Sequence, residues 1–263
     1  LGFRFARHKF SLGACYALNT KFLTGPSHME WAAPNASVQT IADSASPFQA
    51  QFRGDVACRQ VGFPLLVHRR CQQPMFEISN RIAYDNQMVY AAGTANEGPI
   101  AKILGRSAWF DVNGTASTKW CPSEGDLVIR LLEKLANAGL KQPDVYIITP
   151  FRIVAYELSR ALSERNDLFQ QFGVDGEKWI KERVGTIHTF QGKEADTVIA
   201  VMGAPATTHA GARNWAGATP NILNVMVSRA KNRMYVVGAR AAWERVGHCQ
   251  EVASLLPPQR TTI

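Results

Sequence analysis

The chain has 263 residues, of which 46% are hydrophobic and 19% charged, enough for one α/β domain with elaborations or one domain with a smaller appendage. It contains no run of 18 or more apolar residues, which excludes a membrane-spanning helix and predicts no membrane partner. Twenty-nine Lys and Arg against 21 Asp and Glu give a formal charge of +8, which favours polyanionic partners, although a basic surface can also serve solubility alone.

Five cysteines are scattered along the chain without a Cys-x-x-Cys pair or the Cys and His spacing of a metal site. Their odd number and wide spacing predict reduced thiols and a cytoplasmic protein. The chain begins at Leu1 without an initiator Met, and its first residues lack the apolar core and cleavage site of a secretory signal. We interpret this beginning as that of a truncated reading frame.

Residues 1–60 have weak periodicity and many Gly and Pro turn signals, which predict an irregular N-terminal segment with short helical pieces. The pattern then sharpens, because residues 64–68 predict a strand and residues 74–84, which begin with a proline, predict a helix. A strand followed in this way by a helix is the beginning of an α/β unit.

Residues 107–112 predict the next strand, and Ser123 is a plausible N-cap for the helix that follows. Glu124 and Asp126 in its first turn suit the positive end of the helix dipole. Apolar residues at helical spacing then form one stripe that ends at Gly139. This pattern predicts a helix with one buried face.

The later elements are strands at 144–150, 184–188, 197–202 and 233–238, and helices at 152–164 and 222–231. Strands that alternate with helices predict an α/β fold with a mainly parallel sheet flanked by helices. We place this domain at residues 61–250 and a tail at 251–263. In such sheets ligands bind beyond the carboxyl ends of the strands, so we expect the site there.

Two later segments carry the most specific pattern in the chain. Residues 184–199 (VGTIHTFQGKEADTVI) place a Gln-Gly-Lys-Glu turn between two apolar runs, and residues 224–231 (NVMVSRAK) end an apolar helix in cations before another strand. In order and spacing they resemble motifs V and VI of the superfamily-one helicases, most closely the Upf-like branch. The resemblance implies the second RecA-like motor domain of a P-loop NTPase, with motifs IV to VI only.

Two shorter segments extend this resemblance. Residues 67–71 (VHRRC), before Pro74, are similar to motif IV, and Thr149-Pro150-Phe151 is similar to a Thr-Pro-Tyr segment of the family that lies near the nucleic-acid backbone. In the motif IV segment, Arg69 stands where the family often has an aromatic residue that stacks on the base. A guanidinium plane can also stack on a base, but this departure puts the contact with adenine in doubt.

The resemblance implies a role for each matching residue. Arg70 and Arg229 are the expected catalytic arginines, which reach the γ-phosphate of ATP as planar and permanently charged groups. The expected ATP-binding residues are Arg69, Gln191, Gly192 and Glu194. The expected contacts to nucleic acid are Thr149, Pro150, Thr186, His188 and Thr189.

Each of these residues also has a structural alternative. Gly192 can simply close a surface turn, and Arg229 can serve a helix end where a cation suits the dipole. The pair of arginines at a strand end can be an ordinary solvated patch. Thr149 can cap the following helix, and a lone histidine such as His188 is more often structural than catalytic.

The chain lacks a Gly-x-x-x-x-Gly-Lys-Ser/Thr loop and an apolar strand that ends in Asp-Glu. In the resembling family these features bind the ATP phosphates and Mg²⁺ on the first motor domain. The sequence therefore predicts one half of an ATP-dependent helicase or translocase that acts on single-stranded DNA or RNA, with ATP and Mg²⁺ as cofactors and the missing domain as partner. Alone, the chain is expected to bind ATP weakly, no better than about millimolar, and to hydrolyse little.

Two alternatives stay open at this stage. The first is a non-catalytic nucleic-acid-binding remnant of such a helicase. The second is a Rossmann-like domain for another nucleotide, which is disfavoured because no Gly-x-Gly-x-x-Gly follows a predicted strand. The motor interpretation makes one geometric prediction: Arg70 and Arg229 must converge at one edge of the sheet.

Overall fold

The computed structural model describes residues 47, 50–52, 59–61, 66–94, 97–190 and 192–259. In the N-terminal part, β1 (Ala50–Phe52) and β2 (Arg59–Val61) form an antiparallel pair with Ala50 opposite Val61. The expectation of an irregular segment up to residue 60 is therefore wrong for these strands, and the predicted boundary cuts through β2. The rest of that segment lies outside the described residues.

A separate compact unit begins at Val67. Its strands are β3 (Val67–His68), β4 (Val89–Tyr90), β5 (Ala108–Asp111), β6 (Val145–Thr149), β7 (Val184–Thr186), β8 (Ala195–Val201), β9 (Ala230–Gly238) and β10 (Pro258–Gln259). Six of them form one sheet in the order β10-β5-β9-β8-β6-β7, and each neighbouring pair in it is parallel. Strands β3 and β4 form a second, two-stranded parallel sheet.

The helices of this unit are α1 (Met75–Tyr84), α2 (Pro99–Leu104), α3 (Pro122–Asn137), α4 (Arg152–Ser163), α5 (Asn166–Phe172), α6 (Gly176–Arg183), α7 (Ala210–Gly217), α8 (Pro220–Val227), α9 (Arg240–Trp243) and α10 (Cys249–Leu255). Two 3₁₀ helices lie at Ile187–Phe190 and Thr207–His209. Helices α1, α3, α4 and α6 all contact strands of the large sheet. The predicted α/β class with a mainly parallel sheet flanked by helices is confirmed.

The core is built around the middle strands of the large sheet. All five residues of β6 are buried, and β8 and β9 are buried along most of their length. Parallel strands covered on both faces form continuous apolar runs in the sequence, which is why the predicted ends of these strands lie within about three residues of the observed ones. Helix α1 also begins and ends within one residue of its prediction, because its apolar stripe marks it clearly.

Helix α3 begins earlier than predicted. Its N-cap is Cys121, and Pro122 occupies the first helical position, so the expectation of an N-cap at Ser123 is wrong. Proline is favoured at this position because its φ is already helical and its missing N–H would have no partner there. Glu124 consequently points into the protein, where its side chain is fully buried, instead of lying on an exposed first turn.

Three other boundaries also need correction. The strand predicted at 184–188 ends at Thr186, and His188 belongs to the 3₁₀ helix that follows. The helix predicted at 222–231 ends at Val227, because the chain from Ala230 pairs with β8 as part of β9. The predicted tail contains most of α10 and the whole of β10, which pairs in parallel with β5.

Candidate functional site

Two cations and one carboxylate form an ion-paired network at the start of β8 and β9. The Glu194 Oε2 atom lies 2.9 Å from Arg70 Nε, and its Oε1 atom lies 2.9 Å from Lys231 Nζ. Arg229 donates a hydrogen bond from Nη1 to the carbonyl oxygen of Lys193, at 2.7 Å, one residue before Glu194. Arg70 and Arg229 therefore converge on the same turn, as the motor interpretation required.

The sheet register explains why these residues meet. Ala195 and Ala230 lie opposite each other in β8 and β9, and the Ala195 N–H donates to the Arg229 carbonyl oxygen at 3.1 Å. The residues just before each strand are therefore neighbours. The segment after β3 joins them because the Gln72 N–H donates to the Lys231 carbonyl oxygen at 2.8 Å.

Helices α1 and α8 hold the two arginine-bearing segments together. Ser79 Oγ donates to Asn224 Oδ1 at 2.6 Å, and Asn224 Nδ2 donates to the Tyr84 hydroxyl at 3.4 Å. Of these residues, Asn224 belongs to a segment that carries the family resemblance. They link the helix that follows Arg70 to the helix that precedes Arg229, so their part in the site is to position other residues.

Arg229 is only 4% exposed, which is unusual for a guanidinium group. Burial, with the nearby charge of Arg70 acting in the same direction, lowers its pKa to about 10. The group remains charged at neutral pH. Its Nε atom finds no hydrogen-bond partner among the described residues, so the protein leaves part of its donor capacity unused.

Glu194 is the anionic centre of this cluster. The hydrogen bond from Lys231, together with the charges of Arg70, Lys231 and Arg229, lowers the pKa of its carboxyl group. Its side chain is 40% exposed, so the ion pairs are screened by solvent and each contributes little to stability. They restrain Arg70 and Lys231 in place rather than holding the fold together.

The turn that carries Glu194 is anchored by aromatic contacts. The Phe190 ring lies 4.6 Å from the Tyr146 ring of β6, and Lys193 Nζ lies 5.5 Å from the centroid of Phe190. Gly192 has φ of +88°, which most other residues adopt only with strain, so a glycine is needed to close this turn. Gln191 lies outside the described residues.

The cluster does not lie where the sequence placed it. Glu194 and Arg229 precede β8 and β9, so they stand at the amino ends of the central strands rather than at the carboxyl ends. The chain leaves β7 at its carboxyl end and runs back through the 3₁₀ helix before it begins β8. The expected site beyond the carboxyl ends is therefore wrong for the Gln-Gly-Lys-Glu segment.

Arg69 lies at the end of β3 with an exposed side chain. This exposure leaves its guanidinium plane accessible to a base. Its role in stacking stays a prediction.

The residues predicted to contact nucleic acid lie at or beyond the carboxyl ends of β6 and β7. Thr149 is 1% exposed, and its Oγ1 atom accepts a hydrogen bond from the Phe151 N–H at 3.3 Å. Pro150 is also buried. The N-cap of α4 is Phe151 and has no side-chain cap, so Thr149 stabilises the turn before the helix rather than capping it, and the exposed residues of this segment begin at Arg152.

The other three predicted contacts are more accessible. Thr186 is half-buried, whereas His188 and Thr189 are exposed on the 3₁₀ helix. The Thr189 hydroxyl donates to the Thr186 carbonyl oxygen at 2.7 Å. Contact of these residues with nucleic acid stays a prediction.

Lys231 and Lys193 were missed as members of the cluster. Both stand inside the segments that carry the resemblance, but nothing in the sequence indicated that Lys231 would share a carboxylate with Arg70. In the ranges 66–94, 97–190 and 192–259, no group of three His, Cys, Asp or Glu side chains could hold a metal ion. Within the same part of the chain, no helix combines the length and apolarity needed to cross a membrane.

The described residues form an α/β domain with a parallel sheet and a buried arginine at the amino ends of the central strands. The chain belongs to the AAA domain family, whose model matches residues 60–241. It is similar to the solved structure of the C-terminal domain of a possible DNA helicase from Lactobacillus plantarum WCFS1, with 15% identity and a TM-score of 0.40, over 72% of this chain and 97% of the other. Among curated proteins, none matches the chain significantly.

Proposed function

We propose that this chain is the C-terminal motor domain of an ATP-dependent DNA or RNA helicase or translocase. It would supply Arg70 and Arg229 to ATP bound on a preceding P-loop domain, and it would contact the backbone of a single strand. The observation that carries this proposal is the convergence of two arginines, far apart in sequence, on the turn that carries Glu194.

The chemistry of this cluster suits a polyphosphate. Arg229 is oriented by its backbone contact and keeps its charge at neutral pH, and a planar guanidinium group suits phosphate oxygens. Arg70 is held by an exposed carboxylate, so a phosphate can compete for it in water without breaking a buried ion pair. Lys231 would still neutralise the charge of Glu194 when the Arg70 side chain moves from Glu194 to the phosphate.

In this proposal the two arginines stabilise negative charge that develops on the transferred phosphoryl group. ATP and Mg²⁺, when bound, supply the phosphoanhydride and the metal charge, and the metal ligands are proposed on the P-loop domain. Arg229 needs no reorganisation because its backbone contact already orients it. Arg70 would change partner from Glu194 to phosphate when the two domains close.

The test is ATP hydrolysis by the 263-residue chain alone and by a protein in which it follows its own P-loop domain. We expect little turnover from the chain alone and nucleic-acid-stimulated turnover from the two-domain protein. Arg229→Ala and Arg70→Ala should each reduce that turnover by roughly 10³-fold or more. Arg130→Ala, which removes an exposed arginine from α3, is the matched control and should leave the rate unchanged.

Arg229 is buried, so its removal can also perturb the fold. Arg70 separates the two effects because it is partly exposed and makes a surface ion pair. Full turnover in Arg70→Ala, or robust hydrolysis by the chain alone, would overturn the proposal. Binding of single strands without hydrolysis by the two-domain protein would instead indicate a non-catalytic remnant.

A further inference from the structure

An exposed aromatic side chain lies at the edge of the sheet opposite the arginine cluster. Trp215 is 53% exposed on α7, whereas Trp109 and Trp243 are fully buried. Its ring packs on Phe151, which follows the carboxyl end of β6, with 6.2 Å between ring centroids. Nothing in the amino-acid sequence distinguishes this tryptophan from those of the core.

The Trp215 ring stands on a rigid support. Phe151 also packs on the buried Trp243 at 6.3 Å, and Trp243 Nε1 donates to the Gly203 carbonyl oxygen at 2.9 Å. Helix α7 is tied to the loop after β8 by Arg213, whose Nη1 atom donates to the carbonyl oxygens of Ala204 and Ala206. A large apolar ring held rigidly in solvent is a surface ready for stacking, with little ordering needed on binding.

Cations lie near Phe151, the residue that supports this ring. Lys119 Nζ lies 5.7 Å from the centroid of Phe151, the same ring that supports Trp215. Arg152 follows Phe151 directly and is exposed at the start of α4. Tyr156, which is 63% exposed, lies one turn further along the same helix face. Aromatic rings interleaved with cations are typical of surfaces that bind single-stranded nucleic acid.

We infer that Trp215 stacks on a base of a bound single strand, while Lys119 and Arg152 contact its phosphates. This inference rests on the proposed function and adds a base-stacking residue to it. The position is consistent with the sheet, because the carboxyl edge is where open parallel sheets bind ligands. Phe151, which supports the Trp215 ring, directly follows Thr149 and Pro150, whose own contact with nucleic acid stays a prediction.

The experiment measures binding of the 263-residue chain to a short fluorescein-labelled oligo-dT and to a matched abasic oligomer by fluorescence anisotropy. Trp215→Ala should weaken binding to oligo-dT by roughly 5- to 150-fold, and Trp215→Phe should retain most of the affinity. On the abasic oligomer the two variants should match the wild type, because no base is present to stack. A variant that is unfolded or loosely folded would instead lose affinity for both oligomers to the same extent.

The phosphate contacts have a separate readout. Lys119→Ala should reduce the slope of log affinity against log salt by about 1 between about 50 and 200 mM salt. Lys134→Ala is the charge-matched control, since Lys134 lies in the last turn of α3 and should change neither slope nor affinity. Melting temperatures of all variants should stay close to that of the wild type.

Oligo-dT affinity that is unchanged in Trp215→Ala would overturn the inference and leave this face to a protein partner. In that case nucleotide turnover that depends on Arg70 would still support the proposed function. Equal losses on oligo-dT and the abasic oligomer would also overturn the inference, because they would assign Trp215 a structural role only.

Discussion

The buried side chain of Glu124, near the carboxyl ends of the central strands, allows the most quantitative prediction. The side chain is fully buried in the first turn of α3, and its Oε2 atom accepts a hydrogen bond from the Gly203 N–H at 2.8 Å. Its Oε1 atom has no hydrogen-bond partner among the described residues. Burial raises the pKa of this carboxyl from 4.5 to about 8, and the single backbone hydrogen bond opposes that shift only in part.

The direction of the pH dependence follows from proton binding. Between pH 4.5 and about 8 the folded protein keeps the Glu124 proton that the unfolded chain has lost. Stability therefore falls as pH rises through this window and levels off above it. The difference between the two pKa values corresponds to about 5 kcal/mol, an upper bound because water that enters on ionisation would reduce it.

Glu124→Gln removes the titration but keeps an oxygen that can accept from Gly203. Urea unfolding of both proteins, from about pH 5.5 to about pH 9, gives the difference in unfolding free energy at each pH. We expect the unfolding free energy of the variant, relative to that of the wild type, to increase by several kcal/mol from the low to the high end of this pH range. The other titrating groups are common to both proteins, so their effects cancel in the difference. Parallel pH profiles would refute the reasoning, since they would mean that Glu124 ionises as readily as a hydrated carboxyl.

Further predictions concern the two edges of the sheet. Glu194→Gln should remove the negative charge that its two cationic partners share and bring several-fold tighter binding of tripolyphosphate, measured by calorimetry at low salt; an unchanged affinity would mean that this carboxylate does not compete with the phosphates. Gly203→Ala should destabilise the chain by roughly 1 to 3 kcal/mol in thermal unfolding, because φ is +61° and the added Cβ would lie 2.6 Å from the Lys119 carbonyl oxygen. Gly211→Ala is its control, since an added Cβ meets no atom within 4 Å there; equal effects of the two substitutions would contradict the steric argument.

The sequence predicted elements well where one local signal dominates. Strand β6 is a buried apolar run and α1 has a clear helical stripe, so their ends fall within one residue of the predictions. It failed where pairing between distant segments competes with local preference. Ala230 and Lys231 have helix-forming composition, yet they belong to β9, because Ala230 pairs with Ala195 of β8 and the Lys231 carbonyl oxygen accepts a hydrogen bond from the Gln72 N–H.

The candidate site divides in the same way. The resemblance identified Arg70, Arg229 and Glu194 as one set, and their contacts bring them together. It could not indicate that the set lies at the amino ends of the strands, because that depends on the return of the chain through the 3₁₀ helix. Trp215 could not be found from sequence either, since its exposure is decided by the packing of Phe151 and Trp243 beneath it.

The central strand β8 connects the arginine cluster, at the amino ends of the strands, with the surface around Trp215, at their carboxyl ends. Strand β8 begins next to Glu194 at the arginine cluster and ends before Gly203, whose N–H is held by Glu124 and whose carbonyl oxygen is held by Trp243. A buried parallel strand transmits displacement with little loss, because close-packed interiors deform little. If Arg70 exchanges Glu194 for a phosphate, the same strand offers a direct mechanical link to the loop that precedes the Trp215 helix. Under the proposed function, such a link would let the nucleotide state reach the surface that binds the single strand of nucleic acid.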